Sequence, residues 1–359
     1  MSRTKIGFVT GTRPEIIKLA PLFHALSERH IDVTWCHSGQ HDDLAAQAFR
    51  QFDIVPDVIL EQPSNESVAN LTSSLLNSLA EFLSKSNFNA LCVQGDTSTA
   101  LAGALTGFYA DIPVIHIEAG LRSGDMRNPF PEESNRRLIS QVAIRHYAPT
   151  ETAVTALLSE GIQNSAILMT GNTGIDAQNY LKKRFEFKDT KGPIIVTAHR
   201  RENWPYMESI CDAILRLSKA HPDLSFLFAM HANPQIQKTL MSKIQSNKKI
   251  ILSPPIDYFS MQELLANAPL VLTDSGGIQE EAPTYRVPVV ILREKTERPE
   301  LIDCGLARLA SPPNIEKIVA MSNELLSEKE TLREISNPFG DGKAAKYIAD
   351  DLITHLTKC

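Results

Sequence analysis

The stretch Ile6-Gly-Phe-Val-Thr10, followed directly by Gly11-Thr12-Arg13-Pro14-Glu15-Ile16-Ile17-Lys18, decides the fold class. Its first part is a short apolar run, which is typical of a strand covered on both faces. Its second part is a glycine turn and then Pro14, which suits the first turn of a helix because the N–H that proline lacks has no partner there. Apolar residues recur at helical spacing from Ile16 to Leu26 and predict a helix over about 14–29, which Pro21 should kink or interrupt.

The same alternation of strand and helix continues along the chain. Further apolar runs predict strands at 33–37, 90–93, 114–117, 146–148, 166–169, 194–197, 225–229, 250–252, 270–273 and 287–291. Strands that alternate with helices in this way form parallel sheets covered by helices. The charged stretch from Lys182 to Lys191 separates two such series, which places a domain boundary near 170–192. The predicted fold class is α/β, with two doubly wound, Rossmann-like domains.

Composition excludes several classes of protein. The chain has 359 residues, 43% of them hydrophobic and 22% charged, with a formal net charge of −6, which fits a globular protein of two domains. An acidic chain is a poor match for nucleic acid or an anionic membrane, and no apolar run approaches the roughly 20 residues that span a bilayer. The cysteines form no CxxC pair, and Met1 leads too soon into a strand pattern for a signal peptide. We therefore expect no metal site and a cytoplasmic protein.

Polar residues at strand ends are the candidates for function, because ligands of open α/β sheets bind beyond the carboxyl ends of the strands. The first candidate is the turn that contains Arg13 and leads to Lys18, where backbone N–H groups and a guanidinium favour an anion. The alternative is an ordinary turn with surface charges. Neither a Walker loop nor a GxGxxG fingerprint occurs in the chain, so no dinucleotide cofactor is indicated.

Acidic residues follow at successive strand and helix ends. Asp96 lies at the end of one predicted strand, Glu118 ends the next, and Glu132 and Arg136 lie a little further on. Read singly, Asp96 is a helix cap, and Glu132 with Arg136 is an ordinary i,i+4 pair on a helix. Read together, carboxylates that converge at strand ends can acquire different pKa values, which lets one site hold both an acid and a base.

Two more candidate strand ends lie in the second domain. His199 follows its first strand beside two arginines, where it suits a phosphate partner or proton transfer, although a lone histidine is usually structural. A later strand ends in Ser275-Gly276-Gly277, whose glycines let the phosphates of a ligand approach the helix that follows. An acidic residue one turn into that helix can accept hydrogen bonds from ribose hydroxyls. The alternative is a plain turn between strand and helix.

Taken together, these motifs resemble those of the non-hydrolysing UDP-N-acetylglucosamine (UDP-GlcNAc) 2-epimerase family. The matching segments occur in the family's order between about 6 and 310 and read GTRPEIIKLAPL, SGQH, QGDTSTALAGAL, HIEAGLRSGD, NPFPEESNRRL, GNTGIDA, TAHRREN and TDSGGIQEEAP. The resemblance implies two Rossmann-like domains that face each other across a cleft, as in many glycosyltransferases. It also implies that the last helix returns to the first domain, which then comprises 1–170 plus 341–359, with 171–340 as the second domain.

The resemblance further implies an isomerase that interconverts UDP-GlcNAc and UDP-ManNAc without NAD or another cofactor. In the family, UDP leaves with loss of the C2 proton to give 2-acetamidoglucal, and UDP adds back after reprotonation on the other face. The implied catalytic residues are Asp96, Glu118, Glu132 and His199, and the implied substrate-binding residues are Arg13, Lys18, Arg136, Ser275, Gly276, Gly277 and Glu281. Members are commonly homodimers, and the product implied here supplies ManNAc-type sugars for surface polysaccharides.

The chain departs from the family pattern after Gln40 and His41. In bacterial members this region and the region near Asn65-Glu66 bind a second, activating UDP-GlcNAc, but close relatives carry other residues where this chain has Asp42-Asp43-Leu44. An allosteric site that includes Gln40 and His41 therefore stays open as an alternative to a site without activation.

Four other interpretations stay open beside the non-hydrolysing epimerase. They are a hydrolysing epimerase, an epimerase of a modified UDP-sugar, a glycosyltransferase of the same architecture, and a regulator that binds a sugar nucleotide without turnover. Pro14-Glu15 argues against the hydrolysing class, which usually replaces this pair, and the retained carboxylates argue against the regulator. A transferase differs from every epimerase in needing an acceptor, so the identity of the product separates them.

Overall fold

The chain passes from one compact unit into a second and then returns to the first. The computed structural model describes residues 4–39, 42–61, 67–184, 187, 191–230, 233–328, 332 and 334–356. Unit 1 comprises Met1–Tyr180 and Phe339–Cys359, and unit 2 comprises Leu181–Pro338. Unit 1 is therefore built from two separate segments of the sequence.

Unit 1 is built on a parallel sheet, in which seven strands are described. The strands are β1 (Lys5–Thr10), β2 (Asp32–His37), β3 (Val58–Ile59), β4 (Ala90–Gln94), β5 (Val114–Ile117), β6 (Arg145–Ala148) and β7 (Ile167–Met169). Their order is β3-β2-β1-β4-β5-β6-β7, so the direction of strand addition reverses between β1 and β4. This reversal is the topological switch point, beyond which ligands bind in open α/β sheets.

The helices of unit 1 pack on this sheet in two main groups, α3 with α4 and α5, and α1 with α2 and the last helix. They are α1 (Arg13–Ser27), α2 (Asp42–Gln51), α3 (Val68–Ser84), α4 (Ser98–Tyr109), α5 (Glu132–Val142), α6 (Glu151–Ser159) and α7 (Thr173–Arg184). Helix α1 runs through Pro21 without the interruption that was one of the two effects predicted for this proline. Pro21 is buried, and packing of this apolar face offsets the backbone hydrogen bond that a proline removes.

Unit 2 repeats the architecture on a parallel sheet in which six strands are described. Its strands are β8 (Ile194–Thr197), β9 (Phe226–Ala229), β10 (Ile250–Ser253), β11 (Val271–Thr273), β12 (Val289–Ile291) and β13 (Ala307–Leu309). Its helices are α8 (Met207–Ala220), α9 (Pro234–Ile244), α10 (Tyr258–Asn267), α11 (Gly276–Glu281), α12 (Pro299–Asp303) and α13 (Ile315–Ser327). The strand order β10-β9-β8-β11-β12-β13 places the switch point between β8 and β11.

The last helix, α14 (Ala344–Leu356), packs in unit 1. Asp351 accepts hydrogen bonds from Arg145 Nη2 (2.7 Å) and Tyr147 Oη (2.8 Å), which fastens α14 to β6. At the start of α14, the backbone N–H groups of Ala344 (3.2 Å) and Ala345 (3.0 Å) donate hydrogen bonds to the Asp176 carboxylate. Burial raises the pKa of Asp176 to about 6, against the lowering effect of these backbone hydrogen bonds.

Unit 1 ends at Tyr180, inside the predicted boundary region of 170–192, because the first part of α7 packs on unit 1, and the chain returns to the unit at Phe339, close to the predicted 341. The Tyr180 ring stacks on His24 with 5.0 Å between ring centroids, and Tyr180 Oη donates to Asp53 Oδ2 at 3.3 Å. Asn172 N donates to Phe339 O at 2.8 Å, which joins the two segments of unit 1. The unit therefore extends through Tyr180 and resumes at Phe339.

Candidate active site

The turn after β1 is closed by the carboxylate of Glu15, which lies in the first turn of α1. Glu15 Oε2 accepts hydrogen bonds from Gly11 N (3.0 Å), Thr12 N (2.7 Å) and Thr12 Oγ1 (2.8 Å), and Oε1 accepts one from Thr97 Oγ1 (2.8 Å). Thr97 belongs to the turn after β4, so one side chain joins both turns at the switch point. Glu15 is 1% exposed, and burial raises its pKa to about 7 although these hydrogen bonds act in the opposite direction.

This arrangement changes the role expected for the turn. The N–H groups of Gly11 and Thr12, which the sequence assigns to an anionic ligand, are already bonded to the carboxylate of Glu15. The Arg13 side chain is half-buried and makes no ion pair within the described part of the chain. The cation of this turn is therefore available to a ligand, whereas these two backbone donors are not.

Asp96 lies in the turn after β4 and is held by the first turns of α5. Arg136 Nε donates to Asp96 Oδ2 at 2.8 Å, and Arg136 Nη2 lies 2.6 Å from the same oxygen. Asn135 Nδ2 donates to the Asp96 carbonyl oxygen at 2.8 Å. Arg136 Nη1 also donates to the fully buried Glu133 carboxylate (3.2 Å), which accepts a further hydrogen bond from Ser123 N (2.9 Å). These contacts fix the Asp96 carboxylate while 25% of its side chain stays exposed.

Glu118 follows β5 and has a left-handed backbone conformation, with φ of 63°. A non-glycine residue in that region is strained and persists only where its surroundings determine it. Lys18 Nζ forms an ion pair with Glu118 Oε2, and Asn172 Nδ2 donates to the same oxygen at 3.2 Å. Lys18, predicted to bind substrate, thus lies against a carboxylate predicted to be catalytic.

Glu132 is the first residue of α5, where the helix dipole stabilises a negative charge. It immediately precedes Glu133, which anchors α5 to the Ser123 turn. The same helix carries Arg136, whose contact with Asp96 joins α5 to the end of β4. Helix α5 therefore carries both Glu132 and Arg136, and Arg136 joins this helix to Asp96.

In unit 2 the switch point is organised by Asp274, which follows β11 and is fully buried. Asp274 Oδ1 accepts a hydrogen bond from His199 N (3.1 Å), and Oδ2 accepts from Arg200 N (2.9 Å) and Asn203 Nδ2 (2.8 Å). The turn after β8 is thereby fixed to the end of β11. His199, predicted to be catalytic, lies next to the turn that begins with Ser275.

The Ser275-Gly276-Gly277 turn is open to a ligand. Ser275 caps α11, and the N–H groups of Gly276 and Gly277 have no acceptor among the residues that the structure describes. A Cβ on Gly276 would lie 2.7 Å from the Arg298 guanidinium, so the glycine lets this cation lie directly against the turn. A Cβ on Gly277 would lie 3.5 Å from Glu281 Oε1, which places the predicted ribose acceptor beside the same turn.

Ion pairs fix the guanidinium group beside this turn. Arg298 Nε donates to Glu280 Oε1 at 2.6 Å, and Glu297 Oε2 accepts from Arg298 Nη1 (3.2 Å) and Arg293 Nη1 (2.8 Å). Burial by itself would raise the pKa of Glu297, but the hydrogen bonds and charges of Arg293 and Arg298 lower it to about 2. Burial and repulsion from Arg293 lower the pKa of Arg200, so a bound anion would stabilise the charge of this arginine.

Comparisons with known proteins show which family the chain belongs to. A family model described as UDP-N-acetylglucosamine 2-epimerase matches residues 24–353. The UDP-N-acetylglucosamine 2-epimerase of Yersinia pestis is 38% identical, over 98% of this chain and 99% of its own length. The chain belongs to the UDP-N-acetylglucosamine 2-epimerase family.

Solved structures of this family share the fold. The UDP-GlcNAc 2-epimerase of Neisseria meningitidis, bound to UDP-GlcNAc, is 36% identical with a TM-score of 0.90, over 98% of this chain and 100% of its own. The Methanocaldococcus jannaschii UDP-GlcNAc 2-epimerase, in complex with UDP-GlcNAc and UDP, is 35% identical with a TM-score of 0.88, over 98% and 100%. The predicted isomerase class and the predicted pair of doubly wound Rossmann-like units are confirmed.

The predicted site residues fall into two sets, one in each unit of this epimerase. Unit 1 brings Lys18 to Glu118 and Arg136 to Asp96, and unit 2 brings His199 to the turn that begins α11. Their roles stay predictions, and Gln40 and His41 lie outside the described residues. Within the described part of the chain, no helix has the length and apolar character needed to cross a membrane.

Sequence reasoning missed the residues that anchor the predicted ones, namely Glu133, Asn172 and Arg298. Arg298 lies in the charged segment that follows β12, so applying the strand-end rule to that strand would have drawn attention to this segment without singling out the residue. Glu133 and Asn172 have no such signal, because Glu133 is paired with Ser123 ten residues away and Asn172 with Glu118 54 residues away. Only the folded chain shows these pairs.

Proposed function

We propose that this chain interconverts UDP-GlcNAc and UDP-ManNAc without hydrolysing them. The observation that carries the proposal is the pairing of Asp96 with Arg136 and of Glu118 with Lys18 at neighbouring strand ends of unit 1. Fixed carboxylates with cationic partners suit proton transfer, and unit 2 offers an open glycine turn beside Arg298 that suits a diphosphate. Family membership supports the same substrate class, since related structures contain UDP-GlcNAc.

The proposed reaction is an elimination followed by an addition. A carboxylate of unit 1 takes the proton from C2, the bond between C1 and the UDP oxygen breaks, and 2-acetamidoglucal forms. The proton is then returned to the opposite face of C2, and UDP adds back to C1. Because the proton and UDP leave and return, there is no net oxidation, and the reaction needs no nicotinamide.

Stabilisation of the departing diphosphate must supply much of the rate enhancement. A hydrogen on C2 without an adjacent carbonyl group is a weak acid, so a base alone is insufficient. In the proposal, Arg13, His199 and the N–H groups of Gly276 and Gly277 stabilise the charge that develops on UDP. Glu281 is the proposed acceptor for the ribose hydroxyls. Asp96, Glu118 and Glu132 share the two proton transfers, which need donors and acceptors on opposite faces of the sugar.

The test is proton NMR of UDP-GlcNAc incubated with the purified chain in D2O, without added NAD, metal or acceptor. The expected result is UDP-ManNAc that carries deuterium at C2. Free ManNAc with UDP would show a hydrolysing enzyme instead. An unchanged spectrum, with binding of UDP established separately, would contradict UDP-GlcNAc as the substrate and favour a modified UDP-sugar.

The proposal includes a homodimer that works in the cytoplasm and supplies ManNAc-type sugars for surface polysaccharides. Large apolar side chains are exposed on α4, on α5 and after α5, with Phe108 56%, Tyr109 74%, Leu138 51% and Ile144 58% exposed. Exposed apolar residues on neighbouring elements are typical of an interface between proteins. Sedimentation velocity should show a dimer that Leu138→Glu converts to a monomer. A monomeric wild-type chain would contradict this part of the proposal.

A further inference from the structure

Glu118 is the one strained non-glycine residue among the carboxylates of the candidate site, and its backbone is held from the β6 side. Ala119 N donates to Tyr147 O at 2.9 Å. Gly120, with φ of 93°, lies so close to the Ala153 carbonyl that a Cβ would clash with its oxygen. These contacts explain why the backbone turns sharply here, but they do not set the direction of the Glu118 carboxylate.

The carboxylate itself is contacted by Asn172, which follows β7, the strand beyond β6 in the sheet. This residue is 3% exposed, and its Nδ2 donates to Glu118 Oε2 at 3.2 Å. Its Oδ1 accepts a hydrogen bond from Gly174 N at 2.8 Å, and its backbone N donates to Phe339 O at 2.8 Å. Asn172 is thus fixed through its oxygen and its backbone, which leaves its amide nitrogen aimed at Glu118.

Gly174 makes room for this contact. A Cβ at Gly174 would lie 3.0 Å from Asn172 Oδ1 and 3.8 Å from Lys18 Cε. The glycine therefore lies beside both side chains that contact Glu118 Oε2, one a charged amine and the other a neutral amide. Lys18 supplies the charge, and the shorter, less flexible Asn172 side chain fixes the direction.

The geometry points to Asn172 as a positioning residue that sets the orientation of the Glu118 carboxylate from the seam between the two segments of unit 1. Phe339 is the first residue of the segment that returns to unit 1. Asn172 therefore links this segment to Glu118, through its backbone N–H on one side and its side chain on the other. The inference rests on the proposed function, because it takes the Glu118 carboxylate to be a proton-transfer group. A shift of this carboxylate by a fraction of an ångström should slow the chemical step more than it weakens substrate binding.

Asn172→Asp separates this role from a structural one. Aspartate keeps the acceptor for Gly174 N and the backbone bond to Phe339 O, so the turn should persist. It replaces the donor to Glu118 with a second carboxylate, which repels the first and makes its protonation easier. We expect kcat to fall about 100-fold with KM within about threefold, and the acid limb of the pH profile to move to higher pH by about one unit.

Two controls define the comparison. Asn314→Asp in unit 2 makes the same change at the cap of α13, where Asn314 Oδ1 accepts from Lys317 N at 2.8 Å, and should leave kcat and the pH profile unchanged. Asn172→Ala removes the acceptor as well as the donor, so it should lower both kcat and the thermal midpoint. Wild-type kcat and an unshifted pH profile in Asn172→Asp would overturn the inference.

A second readout keeps the inference separate from the proposed function. The Glu118 carboxyl can be titrated by ¹³C NMR in glutamate-labelled protein, with Glu118→Gln to assign its signal. The midpoint should be higher in Asn172→Asp than in wild type whether or not UDP-GlcNAc is turned over. Absence of turnover by wild type would count against the proposed function alone, whereas identical titration midpoints would count against the role of Asn172.

Discussion

The turns after β1 and β4 in unit 1 are joined by the carboxylate of Glu15, and the turns after β8 and β11 in unit 2 are joined by that of Asp274. Both pairs of strands are topological switch points, and both carboxylates are buried. The two carboxylates differ in which backbone N–H groups donate hydrogen bonds to them. Glu15 accepts from the start of α1 itself, whereas Asp274 accepts from the turn across the sheet and leaves Gly276 and Gly277 at the start of α11 without an acceptor among the described residues.

This difference shows how one topology produces two kinds of site. In unit 1 the carboxylate of Glu15 occupies the start of α1, so the groups left for a ligand are side chains, namely Arg13 on the turn and the ion-paired carboxylates at the neighbouring strand ends. In unit 2 the start of α11 keeps its backbone donors, with the Arg298 guanidinium fixed beside them. The proposed division of work, with proton transfer in unit 1 and diphosphate binding in unit 2, follows from where each buried carboxylate is placed.

Among substitutions at the two switch points, Asp274→Asn is expected to have the largest effect on activity. The amide keeps one acceptor oxygen but turns an NH2 group towards a backbone N–H, so the turn that carries His199 should shift. We expect kcat/KM to fall about 100-fold, because a displacement of the order of 1 Å has an effect of that size. Steady-state kinetics would measure it. A kcat/KM within twofold of wild type would show that Asp274 does not organise this switch point.

Glu15→Gln should change the pH dependence of stability in unit 1. The pKa of Glu15 is raised from 4.5 to about 7, so the folded chain binds the proton more tightly than the unfolded chain does. The contribution of protonated Glu15 to the stability of the folded chain is complete below pH 4.5 and is lost as the pH rises through about 7. Glutamine does not titrate, so from pH 4.5 to 8 the wild type should lose about 3 kcal/mol of unfolding free energy relative to the variant.

Denaturant unfolding at several pH values would test this prediction. Trp35 lies in unit 1, so a Trp204→Phe background lets its fluorescence report on that unit. Parallel stability curves for the two proteins would show that Glu15 has the same pKa folded and unfolded. The same measurement on Asp351→Asn, whose carboxylate fastens α14 to β6 through Arg145, separates a local effect of Glu15 from a general effect of losing a carboxylate in unit 1.

The parts of this architecture that the sequence could predict are those with a local pattern. The apolar runs located most strands within one or two residues, and the strand-end rule selected Asp96, Glu118 and His199. Strands β3 and β13 were missed because neither stands out as an apolar run, since β3 has only two residues and β13 has Arg308 at its centre. The hydrogen bonds of Glu15 and Asp274 at the two switch points could not be predicted, because their partners are distant in the sequence. Thr97 is 82 residues from Glu15, and His199 is 75 residues from Asp274.

The smallest and most local effect is expected from Thr97→Val, which removes one of the hydrogen bonds that join the turns of unit 1. Thr97 Oγ1 also caps α4 by accepting from Ala100 N at 3.0 Å, so the variant loses two interactions. Thr150→Val is the matched control, because Thr150 caps α6 through Ala153 N without contacting Glu15. We expect a loss of about 1 kcal/mol for the control and about 2–3 kcal/mol for Thr97→Val, since a hydrogen bond to a carboxylate adds about 1.5 kcal/mol or more. Equal losses would mean that the contact between Thr97 and Glu15 contributes nothing to joining the two turns, and that the backbone bonds of Glu15 alone hold the switch point.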